Sequence, residues 1–195
     1  MKENKVLQIF KIGGILFLIT AIAALLLAVV NNKTAPLIAQ NQEKKQTQSM
    51  QTVMPQADSF EKLSNLPPDS QIQDAYTAKD AAGNPAGICV IVESLGYGGP
   101  IQMAVGIDSG HKVTGVDLIS LSETPGLGAN ATKDSFKSQY TGKTTGIGVV
   151  KSGASENEIN AMSGATITSK AVTEGVNAAL DFEKTVASAV EGGTQ

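Results

Sequence analysis

The apolar positions of the chain follow different patterns along its length, and the first pattern is a continuous run. Residues 12–30 read IGGILFLITAIAALLLAVV and carry no charge. The run is close to the ~20 residues that a helix needs to cross a bilayer, so we predict a transmembrane helix over 12–30. A cleaved signal peptide is the alternative, although the run exceeds the usual apolar core of ~7–15 residues and no small-x-small cleavage site follows it cleanly.

The next segment, residues 31–70, is polar and rich in Gln and Lys, with sparse apolar positions. It predicts a helical stalk over 31–54 that ends at Pro55, and then a short helix over 57–66 that stops at Pro67-Pro68. A disordered linker is the alternative for the whole segment.

From residue 72 the pattern changes to short β-rich runs separated by turn residues. Four of these runs form two pairs around short turns, and each pair predicts a hairpin. Strands joined by short turns favour an antiparallel sheet. The predicted strands are 72–79, 87–93, 101–108 and 112–120.

The remaining pattern predicts helices. One short helix is predicted over 134–140 and another over 155–162, where Ser155 and Glu158 have the spacing of a capping box. A long helix is predicted from Lys170, with a buried stripe at Ile167, Ala171, Val176, Ala179, Leu180 and Val186. The predicted fold class is therefore α+β: one N-terminal transmembrane helix, then a domain with a mostly antiparallel sheet flanked by helices.

The charge distribution predicts the orientation. Lys2, Lys5 and Lys11 precede the apolar run, offset by Glu3, while only Lys33 lies close behind it. Positive charge flanks the cytoplasmic end of a membrane helix, so we expect a single-pass protein of the cell membrane with its N-terminus in the cytoplasm. The predicted domains are a cytoplasmic N-terminus over 1–11, the membrane helix over 12–30, a stalk or linker over 31–70, and an extracytoplasmic domain over 71–195.

Composition excludes several classes of function. There are 18 acidic and 15 basic residues, all of the bases are lysine, and no basic patch interleaved with aromatic residues occurs, so we expect no nucleic-acid binding. Cys89 is the single cysteine, which excludes an internal disulfide, a Cys-rich metal site and an iron–sulfur cluster. His111 lies alone beside Gly110, so we expect a solvated turn residue, with neither a metal site nor a hydrolase triad.

The candidate chemistry lies in Ser163-Gly164-Ala165-Thr166-Ile167-Thr168-Ser169, directly before the long helix. A turn of small residues that leads into a helix directs unpaired backbone N–H groups and the positive end of the helix dipole at one place, which suits a phosphate. The Thr166 hydroxyl can also be esterified. An ordinary helix N-cap is the alternative, because Ser and Thr are common N-cap residues.

Two glycine-bearing segments precede this one, Gly96-Tyr97-Gly98-Gly99-Pro100 and Glu123-Thr124-Pro125-Gly126-Leu127-Gly128. In this order, the three segments closely resemble the FMN-binding domain of ion-pumping respiratory complexes. The likeness is to the G subunit of the Rnf complex, an ion-translocating ferredoxin:NAD oxidoreductase. The C subunit of the sodium-translocating NADH:quinone oxidoreductase is a near relative. The resemblance covers the anchor, the stalk and roughly residues 87–180.

The resemblance implies that FMN is attached through its phosphate to Thr166 by a separate extracytoplasmic flavin transferase that uses FAD as donor. It also implies that the loop over 123–128 approaches the isoalloxazine ring, and Lys143 and Lys170 are candidates for stabilising the charge of reduced flavin. The family often has an aspartate six positions before the threonine, where this chain has Asn160. The predicted cofactor-binding residues are Ser163, Gly164, Ala165, Thr166, Thr168, Ser169, Glu123, Thr124, Gly126, Leu127, Gly128 and Tyr97, and no catalytic or metal-binding residue is predicted.

The function that the resemblance implies is electron transfer within a membrane translocase. The protein would have no independent catalytic activity, and its partners would be the other membrane subunits of an Rnf-type complex and the flavin transferase. Three alternatives stay open from the sequence: the C-type subunit of the quinone reductase, a membrane-tethered non-redox binding or sensory module with the same fold, and, if the first span is cleaved, a soluble flavoenzyme.

Overall fold

The computed structural model describes residues 5–64, 66–67, 71–144 and 146–192, and the side chains of 5, 6 and 188–192 are outside the description. Some predictions therefore lie in part outside the described residues, because they include residues 1–4, 65, 68–70, 145 or 193–195. These predictions concern the second proline of Pro67-Pro68 and the ends of the segments 1–11 and 71–195, among others. The chain forms two compact units, Met1–Lys44 and Lys45–Gln195.

The first long element is helix α1, Lys5–Val53. It includes the predicted span over 12–30, where every side chain is exposed, and an 18-residue window with a mean hydropathy of 2.8. By length and composition, this helix can cross a membrane. The predicted stalk helix is also present, because α1 continues through Pro36 and ends one residue before the predicted Met54.

The second unit is built on an antiparallel sheet whose five strands lie in chain order. The β-rich runs and the turn residues between them correctly predicted both hairpins, and each of these four strands begins and ends within two residues of its predicted position. The strands are β1 Ser59–Lys62, β2 Ile72–Lys79, β3 Pro85–Leu95, β4 Pro100–Asp108 and β5 Val113–Leu121.

The helix predicted over 57–66 is wrong, because this segment contains the edge strand β1. β1 pairs with β2 in a register that places Ser59 opposite Lys79. Cross-strand ion pairs accompany the backbone ladder, such as Lys79 Nζ to Glu61 Oε1 at 2.7 Å. A helix of this length is marginal without tertiary contacts, whereas a sheet edge supplies partners for every second backbone group.

The two faces of the sheet pack against different helices. On one face, Val92, Met103 and Val105 pack against the long helix α3, Thr166–Gly192. On the other face, small residues such as Ala104 pack against the last turn of α1, which belongs to the second unit.

Paired glycines let the end of α1 approach this second face closely. Gly106 and Gly115 are opposite each other on β4 and β5, and a Cβ on Gly115 would lie 3.2 Å from the Cα of Val53. The Thr114 hydroxyl donates to the backbone carbonyl of Val53 at 2.5 Å, which satisfies one carbonyl at the helix C-terminus. The Ser49 hydroxyl donates to Asp117 Oδ2 at 2.7 Å.

After β5 the chain forms short elements before α3. Helix α2, Asp134–Lys137, is followed by a 3-10 turn Ser138–Tyr140, which agrees with the helix predicted over 134–140. The helix predicted over 155–162 is wrong, because strand β7, Glu158–Asn160, pairs there in parallel with β6, Gly148–Val150. The capping-box contact itself is present: the Ser155 N–H donates to Glu158 Oε2 at 3.0 Å.

Burial explains why a strand forms there instead. Ile159 is fully buried in the main core, so pairing with β6 outweighs the local cap signal. The last helix begins at Thr166, four residues before the predicted Lys170. Of its predicted buried stripe, Ala171, Val176, Ala179 and Leu180 are buried and Val186 is partly buried, whereas Ile167 is 54% exposed.

Candidate functional site

The start of α3 is shaped by a tight turn. The Ala165 N–H donates to the Met162 carbonyl at 3.0 Å, and Gly164 has a φ of +73° at the third position of the turn. Glycine is favoured there because an L side chain rarely adopts a positive φ. The N–H of Ser169 donates to the Ala165 carbonyl at 3.0 Å as the first bond of the helical ladder. The N–H groups of 166–168 therefore precede the ladder.

A second turn of the same kind faces this one. The Leu127 N–H donates to the Thr124 carbonyl at 3.1 Å, with Pro125 in the second position and Gly126, φ +79°, in the third. This arrangement is typical of type II turns. The two turns are brought together although they are about 38 residues apart in the chain.

Between these turns lies a cavity of about 490 Å³. It is lined by three chain segments: the turn between β3 and β4, the loop after β5, and the first turn of α3. Most of its accessible wall is apolar. The lining residues are Tyr97, Glu123, Thr124, Leu127, Gly128, Gly164, Ala165, Thr166, Ile167 and Thr168.

Glu123 connects the three segments. Its Oε1 accepts hydrogen bonds from the N–H groups of Tyr97 at 2.8 Å and of Gly98 at 3.2 Å. Its Oε2 accepts a hydrogen bond from the Thr168 hydroxyl at 3.0 Å. A single carboxylate thus holds the β3–β4 turn and the first turn of α3 around the loop that carries it.

Glycines make room for this carboxylate. A Cβ on Gly96 would overlap Glu123 Oε1, and a Cβ on Gly128 would overlap Glu123 Oε2 and lie 2.7 Å from Thr168 Oγ1. Real Cβ atoms essentially never approach so closely. Gly96 of the first segment and Gly128 of the second therefore serve the packing of Glu123.

The structure brings together nine of the predicted cofactor-binding residues and leaves three outside the cavity lining. Gly126 shapes the turn without lining the cavity. Ser163 lines a different cavity, and the Ser169 hydroxyl is buried, donating to the Ala165 carbonyl at 2.9 Å. Thr168 lines the cavity, but its hydroxyl is already donated to Glu123.

The hydroxyl of Thr166 differs from those of its neighbours. Thr166 is exposed and lines the cavity, and within the described part of the chain its side chain makes no hydrogen bond. Neither Lys143 nor Lys170 lines the cavity: the Lys143 ammonium donates to the Glu156 carbonyl, and Lys170 is exposed.

Sequence reasoning missed that Ile167 lines the cavity and that His111 contacts Glu183. Ile167 was assigned to the buried stripe, yet it lines the cavity with 54% of its surface exposed. In the described residues of the second unit, the exposed large apolar side chains are Leu95, Tyr97, Leu127 and Ile167. Three of these four line the cavity, so exposed apolar surface in this unit is concentrated there.

His111 is less isolated than its sequence indicates. Its side chain is half-exposed, and its Nδ1 lies 2.9 Å from Oε1 of the buried Glu183. No group of three or more His, Cys, Asp and Glu side chains suited to a metal ion occurs among the described residues. Cys89 is fully buried in the small core beside α1, and burial raises the pKa of its thiol to about 12.

A smaller, polar cavity of about 310 Å³ contains Asn160 and Ser163. The Asn160 N–H donates to Gln139 Oε1 at 2.8 Å, and its side-chain oxygen accepts a hydrogen bond from the Ala154 N–H at 3.1 Å. Asn160 is exposed and does not line the larger cavity.

Known proteins resemble this chain over most of its length. Residues 96–181 match the FMN-binding domain family, and residues 1–53 match the RnfG N-terminal region. The chain is 38% identical to the G subunit of the proton-translocating ferredoxin:NAD(+) oxidoreductase complex of Clostridium ljungdahlii, covering 92% of this chain and 94% of that protein. It is 37% identical to the G subunit of the Na(+)-translocating ferredoxin:NAD(+) oxidoreductase complex of Acetobacterium woodii, covering 87% and 88%.

Solved structures share the fold at lower identity. The C subunit of the Na(+)-translocating NADH-quinone reductase from Parabacteroides distasonis superposes with a TM-score of 0.55 at 20% identity, covering 72% of this chain and 90% of that one. NqrC of Shewanella oneidensis superposes with a TM-score of 0.51 at 22% identity, covering 64% and 66%.

Proposed function

The chain belongs to the family of G subunits of Rnf-type ion-translocating oxidoreductase complexes, and from this premise we propose that it carries FMN bound covalently through its phosphate to Thr166. It acts as a membrane-anchored electron-transfer subunit that has no independent activity and works with the other subunits of the complex. Three relatives at 38%, 37% and 33% identity are named as G subunits, whereas two quinone-reductase C subunits share the fold at 20% and 22% identity.

The cavity fits an FMN group in size and chemistry. Its volume falls within the ~300–1,000 Å³ of typical ligand sites. Leu127, Ile167 and Tyr97 provide apolar wall for an aromatic ring system, and the N–H groups at the start of α3 suit a phosphate. Gly164 leaves space for a close approach, since a Cβ there would already lie 3.0 Å from Leu127 Cδ2. A bound flavin supplies the ability to accept and donate electrons.

Thr166 is the attachment residue that the contacts favour, and this observation carries the proposal. The hydroxyls of Thr168 and Ser169 are committed to Glu123 and to the Ala165 carbonyl. Ser163 lines the other cavity, and Thr124 is on a loop rather than at a helix start. Thr166 alone in this group combines a free hydroxyl, exposure and the N-terminus of a long helix.

Attachment requires a second protein. A hydroxyl needs an adjacent base to become a nucleophile, and no titratable side chain hydrogen-bonds Thr166 among the described residues. The exposed position of Thr166 allows access for a flavin transferase that uses FAD as donor. The Thr166 oxygen bonds to the phosphorus of the FMN half, the bond between the two phosphates of FAD breaks, AMP leaves, and the hydroxyl proton passes to the transferase. The lysines before residue 12 favour a cytoplasmic N-terminus, so this transferase acts outside the cytoplasm, on the domain that follows the anchor.

Intact-mass and peptide mass spectrometry of the purified full chain, co-expressed with its own transferase, tests the proposal. We expect one FMN phosphoester on the peptide that contains Thr166, and none in Thr166→Ala. Thr124→Ala and Ser163→Ala are matched controls, since each removes an exposed hydroxyl near the site without changing the start of α3. An unmodified wild type under these conditions, or FMN retained covalently in Thr166→Ala, would rule out this attachment.

A further inference from the structure

The charge of the cavity wall has one source. Glu123 is the one ionisable acid or base, apart from the phenol of Tyr97, among the described residues that line the cavity. It accepts three hydrogen bonds from two backbone N–H groups and a threonine hydroxyl. These donors are all neutral, and no Lys or His forms an ion pair with Glu123 in the described part of the chain. The carboxylate is therefore held in place without being neutralised.

The same three hydrogen bonds close the cavity. The Tyr97 and Gly98 donors belong to the β3–β4 turn, and Thr168 belongs to the first turn of α3, two residues after Thr166. In the sequence, Glu123 is 26 residues from Tyr97, 25 from Gly98 and 45 from Thr168. Without the carboxylate, the β3–β4 turn and the first turn of α3 would both lose their hydrogen bonds to the loop that carries Glu123 and Leu127.

We propose that Glu123 is a positioning residue of the flavin cavity, and that its unneutralised carboxylate lowers the reduction potential of the flavin held there. The inference rests on the proposed function. A fixed negative charge in a partly apolar wall disfavours the addition of further negative charge beside it, because such a wall screens charge less than water does. The reduction potential is a property that the protein sets through charges near the cofactor.

Glu123→Gln separates the two roles. The amide keeps an oxygen that can accept from the Tyr97 and Gly98 N–H groups, and its NH₂ can donate to the Thr168 hydroxyl oxygen, so closure is retained while the charge is lost. Glu174→Gln is the matched control, because Glu174 is an exposed residue of α3 that does not line the cavity. Both variants remove one negative charge from the same domain.

The first measurement is a redox titration of the full-length flavinylated protein. In Glu123→Gln we expect the ratio of reduced to oxidised flavin at a fixed potential to rise about tenfold, which for a two-electron couple is a positive shift of ~30 mV. Glu174→Gln should leave the midpoint at the wild-type value. A Glu123→Gln midpoint equal to or below that of the wild type would overturn the electrostatic role.

The second measurement is amide hydrogen exchange at Tyr97 and Gly98, which needs no flavin. In Glu123→Ala we expect protection of these two amides to fall at least tenfold, and in Glu123→Gln to be retained. Thr168→Val should retain it too, because it removes only the third hydrogen bond. If Glu123→Ala fails to fold, Glu123→Asp decides the point, because its side chain is one methylene shorter and should lose the same protection. Unchanged protection in Glu123→Ala, or lost protection in both Glu123→Gln and Thr168→Val, would overturn the positioning role. A wild-type protein that carries no flavin would instead refute the proposed function. The exchange measurement would still show whether Glu123 positions the β3–β4 turn.

Discussion

Gly128 tests the packing of the site most directly, because Gly128→Ala adds one methyl group against Glu123. The new Cβ would overlap Glu123 Oε2 and lie 2.7 Å from Thr168 Oγ1. Gly128 is buried and does not have a positive φ, so the cost of the substitution is steric. The carboxylate must move, and it then loses its hydrogen bond to Thr168 and strains those to Tyr97 and Gly98.

The magnitude follows from these contacts. A hydrogen bond to a charged group contributes about 1.5–3 kcal/mol when it is shielded, and less where solvent competes, as it does around the half-buried Glu123. Losing the equivalent of two such bonds reduces the free energy of unfolding by about 2–3 kcal/mol. For a domain of this size, that lowers Tm by ~4–12 °C.

Urea and thermal unfolding of the full chain in detergent, followed by circular dichroism, measure this loss. Gly110→Ala is the control, because its Cβ would meet only the half-buried side chain of Asp108, 3.2 Å from Oδ1. The double variant Gly128→Ala/Glu123→Ala removes the carboxylate and releases Thr168 Oγ1 from its hydrogen bond to that carboxylate, so in the Glu123→Ala background the added methyl should cost less than it does in the wild type. If Gly128→Ala were as stable as Gly110→Ala, or if the two substitutions were additive, this account of the glycine would be refuted.

Three further predictions concern other parts of the second unit. Asn160→Asp restores the aspartate that the family often has here, and it should raise the initial rate of FMN incorporation at Thr166 severalfold in a time course with the transferase. Stability should be unchanged, because an aspartate oxygen can still accept the Ala154 N–H. An unchanged rate would count against a role for this position. Cys89 should resist alkylation by iodoacetamide at neutral pH in the native protein and react fully in urea, because it is buried and its thiol pKa is raised to about 12, and rapid native labelling would contradict that burial. Hydrogen bonds from Ser155 lower the pKa of Glu158 below its usual 4.5, so the stability that they add is present above that pH and lost as the pH falls through the lowered value. The difference in unfolding free energy between wild type and Ser155→Ala should accordingly shrink on acidification, and a difference that is constant with pH would exclude the ionised carboxylate as the partner.

How far the sequence predicts this fold depends on how local the determining contacts are. The strands β2 to β5 were predicted because each is a β-rich run that turn residues separate from the next. The segments around β1 and β7 were predicted as helices because their local composition and capping signals are compatible with helix. What decides them is pairing with another strand, 20 residues away for Lys79 opposite Ser59 and 10 residues away for Val149 opposite Ile159.

The same distinction applies to the site. The glycine segments and the helix start could be located from local turn and cap signals, and nine of the twelve residues predicted there line one cavity. The bridge made by Glu123 could not be found in this way, since its partners are Tyr97 and Thr168, far away in sequence. Likewise, the periodicity of α3 assigned Ile167 to the core, although the buried positions of the first turn are Thr168 and Ser169, and Ile167 lines the cavity instead.

We expect the choice of transported ion not to depend on the features described for this protein. Two relatives at nearly equal identity, 38% and 37%, belong to complexes named for proton and for sodium translocation, respectively. The predicted span of this chain, 12–30, contains no ionisable side chain, and a path for ions through a membrane is usually marked by such groups. The cavity is likewise suited to a ring and a phosphate, with one carboxylate whose oxygens are occupied by hydrogen-bond donors. We therefore expect exchange of this protein between the two kinds of complex to leave the ion specificity with the other subunits, and a specificity that followed the exchanged chain would show that the argument is wrong.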